Sequence, residues 1–155
     1  MALSTPVSTG FVQSFKSALG DVDPTPVEPL GTIRYELNGV YKYVKFSGTL
    51  AVAVGDALCY VVTDLNLQTV DGTNSVLGAG VACAIVPSGA IAYGWIQVEG
   101  NAILSTTTGA AVGNALTNHS AANSALKVSA AVTDPGVGTL TSASAPIQAQ
   151  IFYGH

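Results

Sequence analysis

The chain has 155 residues, the size of one ordinary domain, and is long enough to bury a real core. Hydrophobic residues make up 48% of it and charged residues only 9%, where an average soluble chain carries about 25% charged residues, so an outer surface this poor in charge predicts burial against copies of itself or a larger assembly. The net charge of −4, with only Lys16, Arg34, Lys42, Lys45 and Lys127 as cations, excludes a nucleic-acid binder, because neutralising phosphates needs clustered Lys and Arg.

Residues 1–30 differ from the rest and read as an extended arm, leaving residues 31–155 as the folded domain. Pro6, Pro24, Pro26 and Pro29 punctuate a Ser/Thr-rich segment that also carries Asp21, Asp23 and Glu28. The opening "MALSTPVSTG" lacks the basic segment and apolar stretch of a secretory signal, which predicts folding in a cytoplasm. Within the arm, "TGFVQSFKSALG" sets Phe11, Val12, Phe15, Ala18 and Leu19 on one helical face, with Thr9 as N-cap and Gly20 as stop. A short helix is predicted there, docked either on the domain or on a neighbouring subunit.

From Thr32 the pattern changes to period two in "TIRYELNGVYKYVKF". Asn38-Gly39 predicts a type I′ hairpin turn, since both central positions need positive φ. That register pairs Leu37 with Val40, Tyr35 with Lys42 and Ile33 with Val44 on an inner face. It sets Glu36 beside Tyr41 and Arg34 beside Tyr43 on an outer face, where hydrogen bonding and cation–π attraction hold the pairs. This outer face reads either as an ordinary solvated hairpin face or, since three of the five cations fall in this hairpin, as a docking surface.

Short strands separated by Gly, Asn, Asp, Ser and Pro turns follow, and the fold class is all-β. Residues 76–96 carry no charge and are long enough to span a membrane, but Pro87-Ser88-Gly89 interrupts them, which predicts two buried strands joined by a tight turn and no membrane partner. A weak repeat links "AVAVGDAL" at 51–58 to "GAAVGNAL" at 109–116, with Asp56 and Asn114 in equivalent turn positions. Two related β-units packed face to face, as a compact β-sandwich or β-tulip-like barrel behind the arm, are expected.

Chemistry has little to build on. Cys59 and Cys83 lack metal-site spacing and are read as reduced core thiols; His119 lies in a polar loop and His155 ends the chain. No GxSxG elbow or GxGxxG loop occurs, and no paired acid and base stand out, so no catalytic, cofactor or metal site is expected.

The succession "EPLGTIRYELNGVYKYVKFSG", "AVAVGDAL", "VLGAGVACAIVPSGAIAYGWIQVEGNA" and "AAVGNAL", closed by a Gly-Val strand after "TDP", resembles the small decoration or cement proteins of tailed-bacteriophage heads over residues 29–153. The resemblance implies a β-rich domain of the tulip or sandwich type, often trimeric, on the outside of a virion capsid. There it ties neighbouring major capsid subunits together, with extended termini serving as ties. On this reading the contact residues are Phe11, Val12, Phe15 and Leu19 of the arm with Arg34, Tyr41 and Tyr43 of the hairpin. Deleting residues 1–30 is then expected to abolish capsid binding and leave the domain folded.

"YGWIQVEG" at 93–100 holds the single Trp. Alternation turns Ile96 and Val98 inward and sets Trp95 with Tyr93, Gln97 and Glu99 on a more polar face, which predicts Trp95 at a contact with another subunit. The alternative function, a carbohydrate- or receptor-binding module on a virion or cell surface, would use Trp95, Tyr93 and Tyr41 as its sugar platform.

Overall fold

The computed structural model describes residues 14–46, 51–60, 68–71, 78–105, 107–118, 125–130 and 136–153, with only the backbone of 68–71 and of Thr108. These residues form no helix and are organised as strands: β1 (Val22–Asp23), β2 (Ile33–Glu36), β3 (Gly39–Phe46), β4 (Ala57–Tyr60), β5 (Gln68–Asp71), β6 (Gly78–Ala82), β7 (Ala92–Ile103), β8 (Thr107–Thr108), β9 (Ala115–Asn118), β10 (Leu126–Val128), β11 (Gly138–Ser142) and β12 (Gln148–Phe152). One large, mainly antiparallel sheet runs β2-β3-β5-β4-β6-β7-β12-β11-β9-β10-β8, and β1 pairs with β7. A second pairing, β3 with β7, wraps one end of the sheet back on itself. The other end stays open at β8, so the sheet is not closed into a barrel, and the architecture is compatible with a β-sandwich.

The weak sequence repeat is a repeat of topology. In the first unit β3 pairs in parallel with β5, and β5-β4-β6-β7 continue antiparallel. In the second, β8 pairs in parallel with β10, and β10-β9-β11-β12 continue antiparallel. Pairing of β7 with β12 joins the two units. Each unit enters its β4 or β9 strand through the same turn. The Ala53 amide donates to Asp56 Oδ2 at 2.7 Å and the Ala111 amide to Asn114 Oδ1 at 2.8 Å. Gly55 and Gly113 adopt φ of 89° and 88°, a conformation that glycine reaches without a Cβ penalty. Their amides donate to Ala82 O and Leu140 O, and the amides of Ala82 and Leu140 return to Asp56 O and Asn114 O.

The main core runs through both units, with Leu58 and its counterpart Leu116 fully buried among Val44, Phe46, Ile96 and Ile151. Ile96 and Val98 face it, as alternation along β7 predicts. The uncharged stretch behaves as expected too: Gly78–Ala82 and Ala92–Ile103 are strands with a turn at Pro87-Ser88-Gly89 between them. No helix among the described residues is long and apolar enough to cross a membrane. Cys59 and Cys83 are not joined in a disulfide; the first is buried and accepts from Asn118 Nδ2 at 3.1 Å, and the second is half-buried.

The hairpin departs from its predicted register. Ile33 pairs with Lys42, Arg34 with Tyr41, Tyr35 with Val40 and Glu36 with Gly39, a shift of two positions that puts Leu37-Asn38 at the turn. Gly39 is needed elsewhere: it has no positive φ, and a Cβ there would run into Glu99 O and the Gln97 side chain of β7. A shift of two preserves which residues share a face, yet burial follows neither predicted face. Val44 and Lys42 are buried as inner residues, while Tyr35 is 73% and Leu37 99% exposed; Tyr41 and Tyr43 of the outer face are buried. Lys42 solves its burial by donating to Tyr60 Oη at 3.0 Å above the same ring.

What covers the outer face is the N-terminal segment. Residues 14–20, the described part of the candidate helix, run as bends and a turn rather than as a helix, and β1 then pairs Val22 with Gly94 and Asp23 with Tyr93. The carboxylates of the segment hold its shape, Asp21 Oδ2 accepting from the Ala18 amide and Glu28 Oε1 from the Lys16 amide. Phe11 and Val12 lie outside the described residues.

Candidate functional site

β3 and β7 lie side by side with Tyr43 directly opposite Trp95, an antiparallel pairing that brings the two rings to 5.1 Å between centroids at 66°. Tyr41 stands one pleat away on β3, and the three form an aromatic cluster separate from the main core. Trp95 and Tyr43 have no exposed surface and Tyr41 only 7%.

The arm closes this cluster with matched polar and apolar contacts. The Phe15 ring meets Trp95 edge-on at 5.4 Å and 90°. Arg34 lies 4.7 Å above the Phe15 ring and 5.7 Å from that of Trp95, donates from Nη1 to Ser17 O at 3.1 Å, and is ion-paired to Glu36. Trp95 Nε1 donates to the same Ser17 O at 3.3 Å. Asp23 Oδ2 accepts from Tyr43 Oη at 2.9 Å and from Ser17 Oγ at 2.8 Å. The polar tips of Trp95, Tyr43 and Arg34 are thereby paired across the boundary between arm and body, which removes most of the cost of burying them.

Burial sets the electrostatics. It pushes the Tyr43 hydroxyl up to about 12, opposed by the hydrogen bond from the Val27 amide and reinforced by the Asp23 carboxylate. Burial also pushes the Cys83 thiol up to about 12, offset in part by the Gln97 backbone, and it raises Tyr41 and Tyr153. A tyrosine or cysteine is neutral when protonated, so a raised folded-state value means the native state holds its proton longer than the unfolded chain does. The associated stability is complete below the unfolded value, 9.0 for Cys83 and 10.0 for Tyr43, and is lost as pH rises toward about 12. Urea unfolding midpoints are therefore expected to fall steadily above pH ~9. Tyr43→Phe should flatten the part of the decline above pH ~10 by about 2 kcal/mol at its end; an unchanged slope would mean that the hydroxyl is not buried in solution.

Chemically the site is built to hold a segment. Asp21, Asp23, Glu28, Glu36 and Asp56 each accept from a backbone amide, a hydroxyl or the Arg34 guanidinium. An open cleft of 630 Å³ between arm and hairpin mixes Lys16 and Arg34 with Asp21 and Glu36 and presents no single charge to a ligand. No group of His, Cys, Asp and Glu among the described residues could hold a metal ion. His119 and His155 lie outside those residues.

A second surface lies beyond the arm. Strand register sets Tyr35 beside Val40, Val40 beside Glu99, and Glu99 beside Phe152, a row crossing β2, β3, β7 and β12. Tyr35 is 73% and Phe152 53% exposed, and Leu37 projects from the adjoining turn.

Six of the eight residues singled out from sequence meet in one place: Phe15, Leu19, Arg34, Tyr41, Tyr43 and Trp95 surround the arm-covered cluster. Within one chain they contact each other, so Trp95 and Tyr43 offer no surface to a partner while the arm is in place, and the Trp95–Tyr93–Tyr41 sugar platform lies under it as well. Ser17 and Asp23 are the anchors that sequence reading missed; two aspartates two residues apart, Asp21 and Asp23, in a chain with nine acidic residues were the available signal. Compared with protein-family models, with curated proteins and with solved structures, the chain matches none.

Proposed function

We propose that the protein is a structural decoration protein of a phage head, assembling with itself, as a trimer, and binding the major capsid protein from outside to stabilise contacts between capsid subunits. The observation that carries this reading is the set of exposed apolar side chains Tyr35, Leu37 and Phe152, gathered at one end of the sheet along a row whose middle positions are the half-buried Val40 and the exposed Glu99, on a chain with only 9% charged residues. Exposed apolar side chains gathered on a sheet face mark an interaction surface. A cement protein has most of its effect in the assembled lattice, where many small contacts act together.

Heads prepared without the protein are expected to bind it saturably, at a copy number fixed by the capsid lattice and read by co-sedimentation. Leu37→Asp combined with Tyr35→Ser should weaken that binding at least about tenfold, since truncating apolar anchors costs more than 1 kcal/mol. Both side chains are exposed, so the urea midpoint of the double variant should not move. Full-strength binding by the double variant removes the hairpin from the interface, and absence of wild-type binding removes the capsid reading altogether.

A further inference from the structure

We propose that residues 14–23 are exchanged between copies, each arm covering the Trp95 cluster of a neighbouring chain. Three observations point to a second copy as the occupant. The arm is modular: Phe15 and Leu19 pack only on the aromatic cluster, and Val22 alone of its apolar residues reaches the main core. The cluster is composed as interfaces are, from Trp, Tyr and Arg whose polar tips pair across the boundary with Ser17 and Asp23, whereas the main core is largely aliphatic. Between β1 and the residues that anchor on β3 runs the exposed segment Pro24-Thr25-Pro26, which bends at Pro24 and Thr25 and supplies no residue to either hydrophobic cluster, so arm and body are joined by a surface linker alone.

An arm seated on a neighbour keeps each hydrogen bond and ring contact it makes within one chain, so exchange sacrifices none of them. It also supplies what a charge-poor chain needs for self-association: a fully desolvated aromatic anchor at the boundary between copies. A body whose arm has left exposes Trp95 and Tyr43, and the surface that fits them is another arm of the same sequence. The inference rests on the self-association half of the reading above and is independent of capsid binding.

Ala18 and Tyr35 are exposed and line the same cleft on opposite sides of the arm–body boundary. Ala18→Cys with Tyr35→Cys in the full chain, treated at micromolar concentration with a short bis-maleimide, gives the test. The native thiols are shielded, Cys59 by complete burial and Cys83 by its raised pKa. Exchange predicts that most cross-linked chains run as covalent dimers and larger species on a denaturing gel, with each single-cysteine variant setting the background. Links confined to single chains overturn it. Light scattering of the same sample then separates the failures: an oligomer with links only inside each chain sinks exchange and leaves self-association standing, while a monomer sinks both.

Discussion

Trp95→Ala is expected to lower the unfolding free energy by about 3–5 kcal/mol, the range for removing a large buried aromatic side chain. Three losses combine. The indole has no exposed surface and fills the space between Phe15 and Tyr43, so its removal opens a cavity that strands β3 and β7 cannot close without breaking their pairing. Arg34 loses one of the two rings it lies over. Ser17 O loses one of its two donors. For a chain of this length the loss corresponds to a fall in Tm of about 10 °C or more. Trp95→Phe keeps most of the burial and drops the indole donor, for about 1 kcal/mol. The arm should loosen together with the cluster, so trypsin should cleave after Lys16 faster in Trp95→Ala than in wild type. A cost below about 1 kcal/mol for Trp95→Ala would mean that the arm does not seal the cluster in solution. The same contacts revise the expected result of deleting residues 1–30: the shortened chain uncovers Trp95 and Tyr43, so loss of binding and loss of stability arrive together, and only point variants separate them.

The parts of the fold that could be read from sequence are those that local chemistry decides. Alternation in "WIQVEG" places Ile96 and Val98 correctly because each residue's face depends only on its neighbours along the strand. Pro87-Ser88-Gly89 and the paired "AVGDAL" and "AVGNAL" turns are equally local, the latter fixed by one glycine and one side-chain acceptor within four residues. The errors sit where distant segments decide. Asn38-Gly39 has the composition of a hairpin turn, yet Gly39 is required where β3 approaches Glu99 O, a neighbour far along the chain. Alternation also grouped Arg34, Tyr41 and Tyr43 correctly, but it cannot tell solvent from a covering segment. Tyr, Trp and Arg carry polar tips that read as an outward face, and here those tips are satisfied by Ser17, Asp23 and Glu36. That is why alternation groups the hairpin residues that meet around this cluster, while the choice between the two docking places of the arm, its own domain or a neighbouring subunit, could not be read from the sequence.

The repeat allows a sharper experiment, because it places the same glycine in two different surroundings. Gly55→Ala is expected to destabilise the protein by about 3–6 kcal/mol, and Gly113→Ala by only about 1–2 kcal/mol. Both residues sit at the same point of the same turn, with φ of 89° and 88°, so the penalty for carrying a Cβ in a left-handed conformation is shared. They differ in what the new methyl meets. At Gly113 nothing lies within 4 Å, and the strain term stands alone. At Gly55 the Cβ would come within 2.5 Å of Ser105 N, 2.9 Å of the Leu104 carbonyl carbon and 3.0 Å of Ile103 O, all backbone atoms that cannot rotate away. Relief requires the turn to move off the chain segment following β7, and that motion breaks the bond from the Ser105 amide to Gly55 O at 2.9 Å. The segment is anchored in turn by the Leu104 amide on Ile147 O, at the join between the two units, so the disturbance should spread to the β7–β12 pairing. Urea unfolding of the two variants side by side measures the contrast. Equal costs would mean that the first turn does not pack against residues 103–105 in solution.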